Sequence, residues 1–227
     1  MFSCLAILTL AVLMVIRPED VPKVWNPFTP LDLDAAPNFV SRWKVRALAG
    51  DAGMCRAVLE RSRAVARTLE DHEHSDACHI RAHTRLTRLS GAAMVPMATT
   101  CEIAARLYLW EVHDLQPAAR RLLGSGVARI RHYASFSCRA MRTGSGLSTR
   151  MSQHATANAV DIAGFVLTDG RRISVLRDWN GDGAEGAFLR AARAGLCRWF
   201  NMVLSPDYNA LHADHFHADM GRWPGCR

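Results

Sequence analysis

The hydrophobic pattern of the chain changes near Gly126. Before that residue, apolar side chains recur at helical spacing in three segments, and the first two begin at a residue that can cap a helix. In the third segment, Pro117 stands near the start and Gly124 near the end, an arrangement typical of a helix. Helices are therefore predicted in DAGMCRAVLERSRAVARTLE (51–70), TTCEIAARLYLWEVHDL (99–115) and LQPAARRLLGSG (115–126).

After Gly126 the pattern is typical of strands. Alternating or continuously apolar runs predict strands in VARIRHYASF (127–136), AVDIAGFVL (159–167), TDGRRISVL (168–176) and DHFHADM (214–220). Asp169 and Gly170 form a tight hairpin turn between two of these runs. A long helix is predicted over 184–204. This order predicts an α+β fold, in which a small antiparallel sheet packs with helices after an N-terminal helical part.

The N-terminal residues indicate a membrane segment. Residues 2–16 are uncharged and almost wholly apolar, although a spanning helix prefers about 20 residues. Residues 1–16 fit a membrane anchor or a signal segment, and the missing small-residue cleavage site favours an uncleaved anchor over a cleaved signal. A buried soluble helix is the alternative. Residues 17–50 contain several prolines and predict an extended tether, so that residues 51–227 form the functional domain.

Cysteine usage points to an oxidising compartment. Of seven cysteines, one lies in the apolar segment and six are spread singly, without the close pairs that zinc ribbons and redox motifs need. Three disulfides are predicted, which places the domain outside the cytoplasm. Fifteen connectivities stay open, and pairing of sequence neighbours is one of them. The candidates are Cys55, Cys78, Cys101, Cys138, Cys197 and Cys226.

The charge of the chain is less informative. The net charge of +7 comes almost wholly from arginine, and a basic surface suits an anionic partner. The arginines are scattered, and no basic block marks a nucleic-acid groove, so no nucleic-acid partner is predicted. A protein that binds anions and holds no metal is one alternative function. The polar stretch 71–79 is interpreted as a solvated loop.

Two histidines near the C-terminus and two residues in mid-chain predict a metal site. His215 and His217 are two apart, and on a strand they point to the same face. Asp161 lies within an apolar strand and needs compensation for its charge. Zinc takes imidazole nitrogen and carboxylate oxygen, and a catalytic site uses three protein ligands. His154, Asp161 and a C-terminal histidine form such a set; a hydrogen-bonded Asp161 without a metal is the alternative.

The motifs SxHxxxxAxDIAGF (152–165) and PDYNxxHxDHFHxD (206–219) closely resemble the extensin-like C-terminal family of bacterial proteins. The resemblance covers roughly residues 55–226. That family looks like a branch of the zinc peptidases that include D-Ala-D-Ala carboxypeptidases, dipeptidases and peptidoglycan endopeptidases. The family usually has glycine where this chain has Ala157. If that position needs a positive φ, alanine costs about 1 kcal/mol and could displace His154.

The resemblance also implies roles for individual residues. It makes His154, Asp161 and His217 the zinc ligands, Asp214 the general base, His215 a stabiliser of the oxyanion and Arg139 a contact for the substrate. Because the separation of Asp214 and His217 is odd, the last strand must begin after Asp214 or contain a bulge.

The function predicted is therefore a zinc-dependent peptidase that acts on peptidoglycan stem peptides in the bacterial envelope. We expect it on the periplasmic side, anchored to the inner membrane by residues 2–16. The alternative is a non-catalytic cell-wall binding or scaffolding module that retains the fold.

Overall fold

A computed structural model of the chain describes residues 21–144 and 146–227. The predicted membrane segment, residues 2–16, lies outside the described residues. Within those two ranges, no helix is long and apolar enough to cross a membrane. The α-helices there are α1 (Phe39–Ala47), α2 (Ala52–Glu60), α3 (Cys101–Trp110), α4 (Gln116–Leu123), α5 (Val175–Asp178) and α6 (Ala184–Trp199).

The strands of the described part are β1 (Val65–Thr68), β2 (His72–Ser75), β3 (Cys78–Ile80), β4 (His83–Arg88), β5 (Ala93–Thr100), β6 (Val127–His132), β7 (Ala140–Thr143), β8 (Gly146–Met151), β9 (Ala159–Leu167), β10 (Arg172–Ser174), β11 (Met202–Leu204), β12 (Phe216–Asp219) and β13 (Gly225–Cys226). Nine of these strands form one sheet in the order β1-β4-β5-β6-β9-β12-β11-β13, with β10 paired to β9. The hairpins β2–β3 and β7–β8 stand apart from this sheet. The fold is therefore α+β, as predicted, with β9 and β12 as neighbours inside the large sheet.

The prediction of a small antiparallel sheet is wrong. The sheet is large and mixed, since β5–β6 and β11–β13 are parallel pairs. The strands β1, β4 and β5 were missed for identifiable reasons. The helix predicted over 51–70 ends at Glu60, and β1 occupies its second half. Strand β4 buries only Thr84 and Leu86, and β5 contains Pro96, a residue that disfavours a strand prediction.

The predicted helices in mid-chain are confirmed and form the core against the sheet. Helix α3 continues through a π-helical turn, Glu111–Leu115, into α4, which ends at the left-handed Gly124. Helix α6 packs against this unit: Trp110 Nε1 donates to Ala192 O at 2.9 Å, and Trp199 Nε1 donates to Asp114 Oδ2 at 2.7 Å. Helix α6 ends at Trp199 rather than at 204 as predicted. The run predicted as a strand over 168–176 is strand only in β10 and turns into α5.

The N-terminal segment is not a free tether throughout. Residues 39–47 form α1, which begins with a capping box in which the Asn38 side chain accepts from the Ser41 backbone. Apolar residues of this segment are buried in the hydrophobic core of the domain, namely Leu31, Leu33, Val45 and Leu48. Prolines favoured an extended interpretation, but they all precede α1, and the apolar side chains between and after them supply burial that holds the segment on the domain.

All six predicted cysteines form disulfides. Two of the three pairs expected from sequence neighbours are wrong, because the fold brings Cys55 to Cys101 and Cys78 to Cys138. The stretch 71–79, interpreted as a solvated loop, lies in the hairpin β2–β3, whose first strand is exposed and whose second strand buries Cys78 and Ile80. One disulfide ties this hairpin to the chain beyond β6. The pairs are Cys55–Cys101, Cys78–Cys138 and Cys197–Cys226.

Removal of the first disulfide tests this connectivity. The double variant Cys55→Ala, Cys101→Ala releases a link between residues 46 apart in sequence. We expect its free energy of unfolding to fall by about 2–4 kcal/mol in urea, since the unfolded chain gains entropy. A non-reducing peptide map that joins Cys55 to Cys78 would contradict the pairing.

Candidate metal centre

The pairing of β9 with β12 places a carboxylate beside an imidazole. In this antiparallel register His217 lies directly opposite Asp161, so their side chains are neighbours on one face of the sheet. Strand β12 begins at Phe216, and Asp214 therefore precedes it in the turn, as the odd spacing required. His217 Nδ1 lies 2.9 Å from Asp161 Oδ1.

A short 3-10 helix, Gln153–Thr156, brings the third residue to the same place. Ser152 caps this helix by accepting from the His154 backbone N–H, and the His154 side chain is only 2% exposed. Its Nδ1 lies 3.0 Å from Ser135 O. A carbonyl can only accept, so Nδ1 carries the proton and Nε2 of the neutral imidazole presents a lone pair.

The three predicted ligand residues converge on one point. His154 Nε2 lies 3.2 Å from both Asp161 Oδ1 and His217 Nδ1. The other nitrogen of His217, Nε2, donates to Asp219 Oδ2 at 2.8 Å. In the neutral imidazoles, therefore, all three facing atoms are acceptors, with no donor between them. Such a cluster requires a cation, either a proton or a metal ion.

The spacing of these atoms fits a small metal ion. A tetrahedral zinc site has ligand distances of about 2.0–2.1 Å, which puts its ligand atoms about 3.3 Å apart. The distances of 2.9, 3.2 and 3.2 Å between the facing atoms are close to that value. Imidazoles that ligate zinc usually donate their other N–H to a carbonyl or a carboxylate, as Ser135 O and Asp219 accept here. Their role as zinc ligands stays a prediction.

The shifted pKa values of Asp161 and His217 likewise indicate that the cluster is stabilised by a positive charge. Burial raises the pKa of Asp161, but its hydrogen bonds with His154 and His217 outweigh burial and hold this pKa well below its usual range. Burial also lowers the pKa of His217, yet Asp161 and Asp219 together raise it to about 9. In the metal-free protein, a proton on His217 therefore takes the place that a metal ion can fill.

A second group of residues lies beside the three. His215 Nδ1 donates to Asp214 Oδ1 at 2.7 Å, and Tyr133 Oη donates to Asp214 Oδ2 at 2.7 Å. His215 Nε2 lies 3.6 Å from Asp161 Oδ1, at the edge of the cluster. The hydrogen bond from His215 lowers the pKa of Asp214, burial opposes it, and Tyr133 lowers it further. Asp214 is therefore an ionised carboxylate at neutral pH.

Comparison with protein families identifies the chain. The family model described as the extensin-like protein C-terminus matches residues 53–227. The chain belongs to this extensin-like family. Comparison with curated proteins and with solved structures found no match. The family match includes every residue of the cluster, so the cluster belongs to the extensin-like domain itself.

Arg139 lies in the irregular segment 135–139 of the extensin-like domain, which runs next to His154 and which we call the wall. Ser137 N donates to His154 O at 2.9 Å, and Ser152 N donates to Arg139 O at 3.1 Å, which fixes the backbone of this wall beside the 3-10 helix. Burial and the charges of His217 and His215 lower the pKa of His212 to about 4, and the charge of Arg139 adds to this effect. The guanidinium charge therefore acts on the same histidine cluster.

Three residues of the site were not assigned a role from the sequence. Asp219 follows His217 by two positions, so the strand periodicity that paired His215 with His217 could have identified it. Tyr133 and the carbonyl of Ser135 carry no local pattern, and only the fold brings them to the site. Asp219 is in turn fixed by Gly221, whose N–H donates to Asp219 Oδ1 and where a Cβ would lie 2.8 Å from that oxygen.

Ala157 adopts the left-handed conformation that the family's glycine suggested. Its φ of 50° is unusual for a residue with a Cβ. The loop nevertheless keeps its place, because Ala157 N donates to His154 O at 3.1 Å and the hydroxyl of Ser135 donates to Ala157 O at 3.2 Å. The expected displacement of His154 is not observed, since its side chain meets Asp161 and His217.

The raised pKa of His217 predicts how stability depends on pH. Below pH 6.5, the ordinary pKa of histidine, the His217 imidazole is protonated in both the folded and the unfolded protein, and its stabilising effect is fully present. This stabilisation is lost as the pH rises through about 9. We expect the unfolding free energy of metal-free protein to fall by about 3 kcal/mol across this window, measured in urea. The matched variant His217→Gln should lose this dependence. A flat profile in the unaltered protein would contradict the charge arrangement.

Proposed function

We propose that the extensin-like domain is a zinc-dependent peptidase of the bacterial envelope that hydrolyses peptidoglycan stem peptides. The observation that carries this proposal is the convergence of three acceptor atoms, from His154, Asp161 and His217, within 3.2 Å of one another. Two imidazoles and one carboxylate are the ligand set of a catalytic zinc site with one open position. Both motifs resemble the extensin-like family, and the likeness of that family to the zinc peptidases supports the same reaction.

Zinc would be held by His154 Nε2, Asp161 Oδ1 and His217 Nδ1. When bound, zinc supplies Lewis acidity, which lets water act as a nucleophile near neutral pH. The protein orients the two imidazoles through Ser135 O and Asp219. These partners keep the outer nitrogen of each ring protonated, so the facing nitrogens would be the ligand atoms, and His217 would lose its Nδ1 proton when zinc binds.

Asp214 accepts the proton from the attacking water. Its lowered pKa keeps it ionised at neutral pH, as a general base requires. Tyr133 and His215 hold its two oxygens in a fixed orientation. The second nitrogen of His215 faces the cluster and, when protonated, donates to the oxyanion that develops on the peptide carbonyl.

Arg139 gives the site its preference for an anionic peptide. A guanidinium binds a carboxylate with two parallel hydrogen bonds, which suits the free carboxylate of a stem peptide. The backbone of Arg139 is fixed beside the 3-10 helix of His154. The three disulfides support a location outside the cytoplasm, where peptidoglycan is the peptide-bearing polymer.

Asp219 offers a test of metal binding that leaves the three ligands intact. We expect Asp219→Asn to bind zinc about 10–100-fold more weakly, because His217 loses the carboxylate that orients it. Titration calorimetry with zinc measures the effect. The matched control is Asp182→Asn, at an exposed carboxylate, which should leave the affinity unchanged. Equal affinities for both variants would contradict the orienting role.

Asp214 offers the test of catalysis. Asp214→Asn should retain one zinc ion per chain and lose about 100- to 10,000-fold of the rate of cleavage, because the base is absent. Purified muropeptides with intact stem peptides are the substrates, and mass spectrometry detects the products. His154→Ala should bind zinc far more weakly and lose the activity. If the unaltered protein binds zinc and cleaves none of these peptides, the domain is a wall-binding module and the proposal fails.

A further inference from the structure

Helix α1 buries Val40 and Val45 against the domain, yet it leaves two aromatic side chains exposed. Phe39 and Trp43 are spaced four residues apart on one side and are 75% and 56% exposed. Lys44 on the other side is only 6% exposed. The outer side of a helix that meets only water ordinarily carries polar residues rather than large aromatic ones. The exposed aromatic side chains of α1 therefore favour contact with an apolar partner.

The buried lysine explains how further aromatic residues join this side. Lys44 Nζ donates to Lys23 O at 3.0 Å and to Thr29 Oγ1 at 3.1 Å. These bonds hold the loop 23–29 against the helix. The loop places the Trp25 ring 5.6 Å from the ring of Phe39. Phe28, in the same loop, is 86% exposed.

These four side chains form what we call the aromatic patch: Trp25, Phe28, Phe39 and Trp43. Tryptophan and phenylalanine are the side chains that favour the boundary between lipid headgroups and acyl chains. Arg42 and Arg46 are exposed on α1, and the helix contains no acidic residue. Basic residues beside an aromatic surface favour anionic lipid headgroups.

The position of the aromatic patch in the chain also points to a lipid bilayer as the partner. The apolar residues 2–16 end nine residues before Trp25. Nine residues span at most about 30 Å when fully extended. Any bilayer that holds residues 2–16 therefore lies within reach of the patch.

We propose that the aromatic patch docks the folded domain on the surface of an anionic lipid bilayer. The domain then lies against the membrane, whereas the Pro-rich segment alone predicted a tether that holds it away. This surface is separate from the proposed metal centre, and its role does not depend on peptide cleavage.

Quenching of tryptophan fluorescence by brominated lipid tests the proposal in the full-length chain. The protein is reconstituted into vesicles of phosphatidylethanolamine and phosphatidylglycerol, with or without brominated acyl chains. Of the six tryptophans, Trp25, Trp43 and Trp223 are the exposed ones. We expect quenching in the unaltered chain. The double variant Trp25→Phe, Trp43→Phe should lose most of it and still dock, because the rings stay apolar.

Trp223→Phe is the matched control, because it removes an exposed tryptophan outside the patch and should leave the quenching intact. Quenching that is absent in the unaltered chain, or equal in the double variant, overturns the proposal. In that case, sedimentation measures the oligomeric state, and acrylamide quenching measures whether the tryptophans are shielded from water. Together they identify another occupant of the aromatic patch. A dimer with shielded tryptophans indicates a second copy, and a monomer with shielded tryptophans indicates that residues 2–16 cover the patch.

Discussion

The site depends on one electrostatic constraint: when both imidazoles are neutral, three acceptor atoms face one another without a donor between them. His154 Nε2, Asp161 Oδ1 and His217 Nδ1 would repel unless a cation lay among them. The fold holds them together by engaging the outer side of each imidazole with an acceptor. Burial of His154 and the cross-strand register of Asp161 and His217 prevent the side chains from turning away to water.

The surrounding structure keeps this cluster in place through covalent and hydrogen-bonded links. The wall that contains Ser135 and Arg139 belongs to neither the large sheet nor a helix, and the Cys78–Cys138 disulfide ties it to the hairpin β2–β3. Backbone hydrogen bonds then join this wall to the 3-10 helix of His154. Segments without ladder hydrogen bonds gain their order from such links.

Local sequence patterns identified the three residues of the candidate metal centre but not their supports. Asp161 stood out because a charge inside an apolar strand needs a partner, and His217 because strand spacing fixed its face. The carbonyl of Ser135 and the hydroxyl of Tyr133 have no such pattern, since their positions depend on pairing between strands that are distant in sequence. The same holds for β4 and β5, whose inward residues are few and whose pairing is interrupted by a bulge. Two of the three disulfides were equally inaccessible, because they join segments that only the folded chain brings together.

The N-terminal segment and the site give the domain two distinct surfaces. Helix α1 buries Val40 and Val45, whereas its aromatic residues Phe39 and Trp43 are exposed and contribute to neither the core nor the site. Exposed aromatic residues are consistent with a partner that is itself apolar, and a bilayer supplies one. A domain held close to the membrane by this surface would act on substrate near the membrane, with the cluster of β9 and β12 available for chemistry.

X-ray absorption at the zinc edge of the zinc-loaded protein tests the central claim most directly, because it reports the atoms around the ion. The account predicts two imidazole nitrogens and a carboxylate oxygen at about 2.0–2.2 Å, with one imidazole lost in His154→Ala. A spectrum with an all-oxygen shell, or one that His154→Ala leaves unchanged, would contradict it.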